Sequence, residues 1–70
     1  MPGIRAWRDK NHRWRIEVDE GPPVLVRVYA TNAYTESTPL WLDGTRALAR
    51  WLMLEKIALD ELEEIDPSSQ

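Results

Sequence analysis

Apolar and polar residues alternate along two stretches of the chain, residues 13–19 and residues 24–30. A period of two turns successive side chains to opposite faces of an extended strand, so each stretch predicts a β-strand with one buried face. The second stretch is rich in β-branched residues, which favour strands. Between them, Glu20-Gly-Pro-Pro23 predicts a turn, because proline cannot donate to a strand ladder and glycine adopts turn dihedrals.

Two shorter segments predict further strands. Residues 4–8 are joined to the first alternating stretch by the polar segment Asp9-Lys-Asn-His12, which suits a turn. Residues 38–42 follow a loop over residues 31–37. Because each strand has one apolar face, the segments together predict a three- or four-stranded antiparallel β-meander. The side chains expected in its core are Trp14, Ile16, Val18, Val24, Val26, Val28, Leu40 and Leu42.

A helical period follows the last strand. Asp43 is the predicted N-cap, Gly44 and Thr45 begin the helix, and Pro67 stops it. The apolar positions of this helix are Ala47, Leu48, Trp51, Leu52, Leu54, Ala58, Leu59, Leu62 and Ile65. This stripe is wider than one sheet face requires, which favours a second subunit on its other side. The predicted fold is therefore α+β: the meander, followed by one long C-terminal amphipathic helix packed on the sheet.

The length of 70 residues predicts one domain, residues 1–66, with a disordered tail at residues 67–70. A chain of this size buries roughly 60% of the surface that its unfolded form exposes, so its stability alone is marginal. It has no cysteine for a disulfide or a thiolate zinc site. Oligomerisation is the remaining device, and we expect a homodimer, through either the helix or the sheet.

No apolar run approaches the roughly 18–20 residues of a membrane span, and no signal peptide is recognisable. We therefore expect a cytoplasmic protein of bacterial or phage type, with no contact with a membrane. The net charge of −3 hides an asymmetry, since residues 1–30 hold six bases and four acids and residues 31–70 hold three bases and eight acids. Such asymmetry is informative about partners rather than about fold.

The sequence contains little that suits catalysis. His12 is the only histidine and lies in a polar turn, and the carboxylates of Asp60 and Glu63 or Glu64 fall on an exposed helix end. General acid–base chemistry needs a pocket that separates the pKa values of such a pair. There is no glycine-rich phosphate loop, no His/Cys metal spacing and no serine-centred motif. We expect no enzyme, no cofactor, no metal and no small-molecule substrate.

The outward face of the meander is the first candidate for a binding surface. If the apolar set faces the helix, alternation turns a second set to the other side: Arg5, Trp7, Arg13, Arg15, Leu25, Arg27, Tyr29 and Trp41. Arginines suit phosphates and flat rings suit bases, so this face predicts a platform for single-stranded nucleic acid. Its site residues are Arg5, Trp7, Arg13, Arg15, Arg27, Tyr29 and Trp41.

Two other interpretations of this face stay open. Trp7 and Trp41 could cover the edges of the core while the arginines pair with Glu17 and Asp19, or the face could be the dimer interface.

The acidic end of the predicted helix is the second candidate. Asp60, Glu61, Glu63, Glu64 and Asp66 would lie where the helix dipole disfavours negative charge. One interpretation is a docking surface for a basic protein, or a mimic of nucleic acid, built on Asp60, Glu61, Glu63 and Glu64. The other is a solvated end that the chain's own arginines neutralise in part.

Two families resemble parts of this chain. The segment Leu40-Trp-Leu-Asp-Gly-Thr-Arg-Ala-Leu-Ala-Arg-Trp-Leu52, leading from a last strand into a helix, looks like the transcriptional-coactivator family of single-strand binders. That resemblance implies four strands and a helix through which two copies dimerise. The stretch Arg13-Trp-Arg-Ile-Glu-Val18 followed by Thr45-Arg-Ala-Leu-Ala-Arg-Trp-Leu52 is similar to arm-type DNA-binding domains of phage integrases, which implies three strands and a helix.

Two functional hypotheses result. The first is a small non-enzymatic module that contacts single-stranded or distorted nucleic acid through the Arg/aromatic sheet face. The alternative is a protein–protein interaction module, for example a phage or mobile-element protein that binds or inhibits a host factor, with its acidic helix end or its sheet face as the contact surface.

Overall fold

The computed structural model describes residues 3–30 and 39–68. The alternating segments become strands within a residue or two of their predicted bounds. In chain order the elements are β1 (Ile4–Asp9), β2 (Trp14–Asp19), β3 (Leu25–Ala30), β4 (Leu40–Leu42), helix α1 (Thr45–Leu54), a 3₁₀ turn (Leu59–Glu61) and β5 (Leu62–Ile65). The loop predicted at residues 31–37, residue 38 of the predicted fourth strand, and residues 69–70 of the tail lie outside the described residues.

The strands form one antiparallel sheet in the order β4-β3-β2-β1-β5. The first four follow the predicted meander, which is confirmed. The fifth strand was not predicted. It returns after the helix and pairs with β1, so the last strand of the chain lies beside the first. This extra strand departs from both families that the sequence resembles.

The β1–β2 turn is organised by the carboxylate of Asp9, which is 1% exposed. Its Oδ1 accepts hydrogen bonds from the backbone N–H groups of Arg13 at 2.7 Å and Trp14 at 2.8 Å. Its backbone carbonyl accepts from the N–H of His12 at 2.9 Å. One short side chain thus supplies acceptors for backbone donors that the turn leaves without a strand partner.

The helix is much shorter than predicted, because it ends at Leu54 rather than near Pro67. Lys56 adopts the left-handed conformation, with φ 58°. The N–H of Lys56 donates to the carbonyl of Met53 at 3.1 Å, and the N–H of Ile57 donates to the carbonyl of Leu52 at 2.9 Å. This is a Schellman ending, and its usual apolar contact is supplied by Leu52 and Ile57, both in the buried core.

The predicted N-cap is also wrong. Gly44, not Asp43, precedes the first turn of α1, and no side chain caps it. Gly44 has φ 91° and ψ 179°, a conformation available mainly to glycine. The chain therefore reaches the helix through a backbone geometry that leaves the Asp43 side chain exposed beside the first turn.

The buried cluster contains side chains from the sheet, from the helix and from the segment that follows the helix. It contains Ile16, Val18, Val26 and Val28 from the strands together with Leu52 and Ile57. Trp7, Trp14, Val24, Leu42, Leu48, Trp51 and Leu62 pack around it. The rings of Trp14 and Trp51 meet edge to face, with centroids 5.3 Å apart and planes at 86°. Leu40, expected in the core, is 49% exposed.

Among the described residues, none of the helical structure is long and apolar enough to cross a membrane.

Candidate binding site

The side of the sheet away from the core, here called the outer face, carries four of the seven predicted nucleic-acid-binding residues. Arg15 lies opposite Tyr29 in the β2–β3 pair, and Arg27 lies opposite Trp41 in the β3–β4 pair. The Arg27 guanidinium carbon is 5.8 Å from the centroid of the Trp41 ring, within cation–π distance. The structure therefore brings these four residues of the predicted set together.

The two arginines of the outer face, Arg15 and Arg27, already pair with groups of the same chain. Arg15 is 4% exposed, and its Nε donates to Oε2 of Glu17 at 3.0 Å. Its Nη2 donates to the backbone carbonyl of Pro67 at 2.7 Å. Arg27 Nη2 lies 3.4 Å from Oε1 of Glu17. The buried Glu17 carboxylate thus bridges two guanidinium groups, as the interpretation with paired arginines expects. Asp19 instead accepts a hydrogen bond from the N–H of Gly21, at 3.1 Å.

Arg5 and Trp7 do not belong to the outer face, so that part of the prediction is wrong. Trp7 lies opposite Ile16 and Arg5 lies opposite Val18, and directly opposed residues in antiparallel strands share a face. Both side chains therefore lie on the core side, where the Arg5 guanidinium carbon is 4.9 Å from the Trp7 ring centroid. Alternation within β1 does not fix which of its faces is buried, because that depends on the register with β2.

Arg13 lies in the connection before β2, with its side chain 55% exposed. Its Nε is 3.6 Å from Oδ2 of Asp9. It is the most exposed of the predicted phosphate-binding arginines, and it is paired with the carboxylate that organises the turn.

The acidic segment is not a helix end, which corrects the second candidate surface. Glu63 and Glu64 belong to β5, and Glu61 closes the 3₁₀ turn by accepting a hydrogen bond from the N–H of Ala58 at 3.1 Å. Asp60 is exposed in that turn. The expected conflict with the dipole of a long helix disappears, because α1 ends six residues before Asp60.

Two of these carboxylates pair with basic residues of β1. Arg8 Nη2 lies 3.6 Å from Oε2 of Glu63. Arg5 donates to Glu64 through Nε at 3.2 Å and through Nη2 at 2.9 Å. The hydrogen bond from Arg5, followed by its charge, lowers the pKa of Glu64, and the same contact raises the pKa of Arg5. Hydrogen bonds from Ser68 lower the pKa of Asp66.

A groove between the helix and the edge of the sheet is the candidate site that the sequence did not reveal. It encloses about 380 Å³ and is lined by Leu42, Asp43, Arg46, Ala47, Arg50, Trp51 and Leu54. We call it the α1–β4 groove. Leu42, Ala47, Trp51 and Leu54 supply an apolar lining, while Arg46 and Arg50 stand one helical turn apart at exposed positions.

Arg46 and Arg50 differ from the other arginines. Within residues 3–30 and 39–68, Arg5, Arg8, Arg13, Arg15 and Arg27 each have a carboxylate within 4 Å. In the same part of the chain Arg46 and Arg50 make no ion pair. One feature of the sequence could have indicated this site: two arginines, Arg46 and Arg50, lie four residues apart beside the apolar stripe. From the sequence alone, the excess width of that stripe predicts a second subunit rather than a groove.

His12 is exposed in the β1–β2 turn, with φ 56°. Within the described ranges, no three His, Cys, Asp or Glu side chains are grouped so as to hold a metal ion. What the α1–β4 groove can do is bind, through apolar contact at its lining and charge attraction at its rim.

No protein-family model, no curated protein and no solved structure matches this chain.

Proposed function

We propose that this chain is a small non-enzymatic protein–protein interaction module, and that its partner binds in the α1–β4 groove. The observation that carries the proposal is the pair Arg46 and Arg50, which lack a carboxylate partner in the described structure and stand beside an apolar groove. An apolar groove with a few polar groups at its border is the usual form of a binding site.

The groove has a simple geometric origin. Strands lie about 4.8 Å apart, so five of them span roughly 19 Å between the outermost axes. A single helix with its side chains is about 10–12 Å wide and covers only part of that width. The side chains of Leu42 and Trp51 are left at a step between helix and sheet. A module with one helix on a wide sheet thus has a recess on its surface.

The charges favour a protein partner over a nucleic acid. Asp43 lines the groove, so a dense polyanion would meet a like charge there. Arg15 and Arg27, the arginines expected to take phosphates, already share Glu17. A net charge of −3 adds a general repulsion. Under the nucleic-acid hypothesis, the binding surface is reduced to Arg27, Tyr29 and Trp41 on the outer face, and the experiment below tests it.

Selection of peptides against the groove tests the proposal. A random peptide library displayed on phage is selected on the protein and counter-selected on the double variant R46E/R50E. We expect acidic peptides with apolar residues that bind the protein about tenfold or more tightly than the variant, because each lost charge-assisted contact costs about 1.5–3 kcal/mol. The matched control is K10E, which reverses an exposed lysine of the β1–β2 turn outside the groove and should bind the peptides as the parent does.

Two results would contradict the proposal. One is selection of peptides that bind parent and R46E/R50E equally. The other is salt-sensitive, saturable binding of single-stranded oligonucleotides in a fluorescence-anisotropy titration. If R27A and W41A weaken that oligonucleotide binding while R46E/R50E does not, the outer face is the functional surface and the ligand is a nucleic acid.

Self-association is a separate part of the proposal, and exposed apolar side chains support it. Met53 and Leu59, which lie outside the α1–β4 groove, are 79% and 77% exposed, although each is a large hydrophobic residue. Such exposure beside a small core favours a dimer. We expect sedimentation equilibrium to give a homodimer that M53E/L59E converts to a folded monomer; a parent chain that stays monomeric at all concentrations would contradict this.

A further inference from the structure

We infer that the partner presents an extended acidic and apolar segment, which adds to β4 as a sixth strand and places alternate side chains in the α1–β4 groove. The inference rests on the proposed function and specifies how the groove is used. It combines three observations: an edge strand without charged side chains, the faces on which its residues lie, and two nearby arginines that make no ion pair with any residue of 3–30 or 39–68.

β4 is a short edge strand whose three residues carry no charge. In the described sheet, β4 pairs with β3 on one side only, so its other side offers backbone N–H and C=O groups to a further strand. Its three residues are Leu40, Trp41 and Leu42, and the first two are 49% and 56% exposed. Natural edge strands usually carry charges that discourage pairing, and apolar edges are where peptides add to sheets.

The opposite edge of the sheet provides an internal comparison. β5 is also an edge strand, but it carries Glu63 and Glu64, each paired with an arginine of β1. Charged side chains at that edge discourage addition of another strand. Of the two edges, β4 is therefore the one suited to receive a segment from another protein.

The faces of β4 determine what the added strand must carry. Leu40 and Leu42 lie opposite Val28 and Val26 and share their side, which is the side of the helix. Trp41 lies opposite Arg27 on the outer face. A strand beside β4 would turn every second side chain toward the helix and the others toward Trp41.

The groove then specifies the chemistry of the helix-facing side chains. An apolar side chain would contact Leu42 and Leu54, and a carboxylate two positions away would approach Arg46 or Arg50. Arginine is well suited to such a contact, since its planar fork binds carboxylates in a bidentate manner. Asp43 disfavours a run of consecutive acids. The preferred segment thus alternates, with apolar and acidic residues sharing one face.

The probe is the fluorescein-labelled peptide Leu-Thr-Glu-Thr-Leu-Thr-Glu, whose leucines and glutamates share one face of an extended strand. Binding is followed by fluorescence anisotropy. Two further forms carry N-methyl groups on alternate amides, either on the odd residues or on the even ones. The amides of a strand point alternately to its two edges, so only one of these two forms can keep the hydrogen bonds to β4.

Strand addition predicts that one methylated form binds about tenfold or more weakly, while the other binds like the unmodified peptide. It also predicts that the peptide does not bind R46E/R50E, and that a peptide with lysine in place of both glutamates does not bind the parent. K10E should bind the unmodified peptide as the parent does. Equal behaviour of the two methylated forms, with the arginine dependence intact, would overturn strand addition and leave the groove as a site. The inference would be overturned if no form of the peptide binds, or if binding is unchanged in R46E/R50E. If the phage library also yields no peptide that binds, the proposed function would be overturned as well.

Discussion

The guanidinium of Arg5 donates two hydrogen bonds to the carboxylate of Glu64, across 59 positions of sequence. Arg8 and Glu63 form a second, longer ion pair on the other face of the same two strands. The basic start and the acidic end of the chain, which suggest two separate interaction surfaces when the sequence is considered alone, are in fact the two sides of one strand pair. Arg46 and Arg50 of α1, which make no ion pair in the described part of the chain, stand instead at the groove.

Replacing Arg5 by glutamine should return the pKa of Glu64 to its ordinary range, because the hydrogen bond and charge that lower it are removed. The lowered pKa means that the contact stabilises the fold above the unfolded carboxyl pKa of about 4.3. That contribution is lost as the pH falls through the lower pKa of the folded state. NMR titration of the side-chain carboxyl gives the value directly. R13Q, which alters a pair elsewhere, should leave it unchanged; no movement in R5Q would refute the assignment.

Lys56→Gly should stabilise the protein by about 0.5–1 kcal/mol, since lysine bears a steric cost in the left-handed conformation that glycine avoids. Urea denaturation monitored by tryptophan fluorescence measures the difference. The control is E55G, because Glu55 has φ −84° and ψ −2°, which suits any residue. That variant should lose stability through chain entropy. A destabilised K56G would show that the Schellman ending is not the conformation in solution.

Asp9→Ala should destabilise the protein by about 2–4 kcal/mol. It removes the acceptor for the N–H groups of Arg13 and Trp14, and each buried donor left unpaired costs about 1–3 kcal/mol. The control D60A removes an exposed aspartate of the 3₁₀ turn and should change stability by less than about 0.5 kcal/mol. Equal effects in urea denaturation would mean that Asp9 does not organise the turn.

Glu17→Ala should be the most damaging of these changes, at about 3–5 kcal/mol, because it leaves the buried Arg15 without its carboxylate. A domain of this length has a total stability of only a few kcal/mol, so the variant should be largely unfolded at room temperature. Circular dichroism shows this at once. E63A, which removes a carboxylate from an exposed pair, should remain folded. A cooperatively folded E17A would argue that solvent reaches Arg15.

The sequence predicts the first three strands well because their alternation and turns agree with one another. It fails at the end of the helix, where the Schellman ending has lysine rather than glycine at position 56 and therefore gives no stop signal. The same failure hides β5. Leu62 and Ile65 are three residues apart, a helical spacing, yet in the strand they lie on opposite faces, facing Asp9 and Ala6 respectively.

The candidate sites show a related limit. Alternation correctly places Arg15, Arg27, Tyr29 and Trp41 on one face, but it is silent on whether their charges are already paired. The face of β1 depends on the register with β2, and a difference of one residue moves Arg5 and Trp7 to the core side. The α1–β4 groove depends on how a short helix covers a wide sheet, which requires the fifth strand to be known.

The edge-to-face contact of Trp14 and Trp51 joins the sheet to the only α-helix of the described chain. Because the two indole rings have centroids 5.3 Å apart, we expect their electronic transitions to couple and to give a paired positive and negative band in the far-ultraviolet circular dichroism spectrum. This band would depend on the contact between Trp14 in the sheet and Trp51 in the helix, so it would report separation of the helix from the sheet. Loss of that band while the β-sheet circular dichroism signal persists would indicate a partly unfolded state, in which the groove is lost before the sheet unfolds.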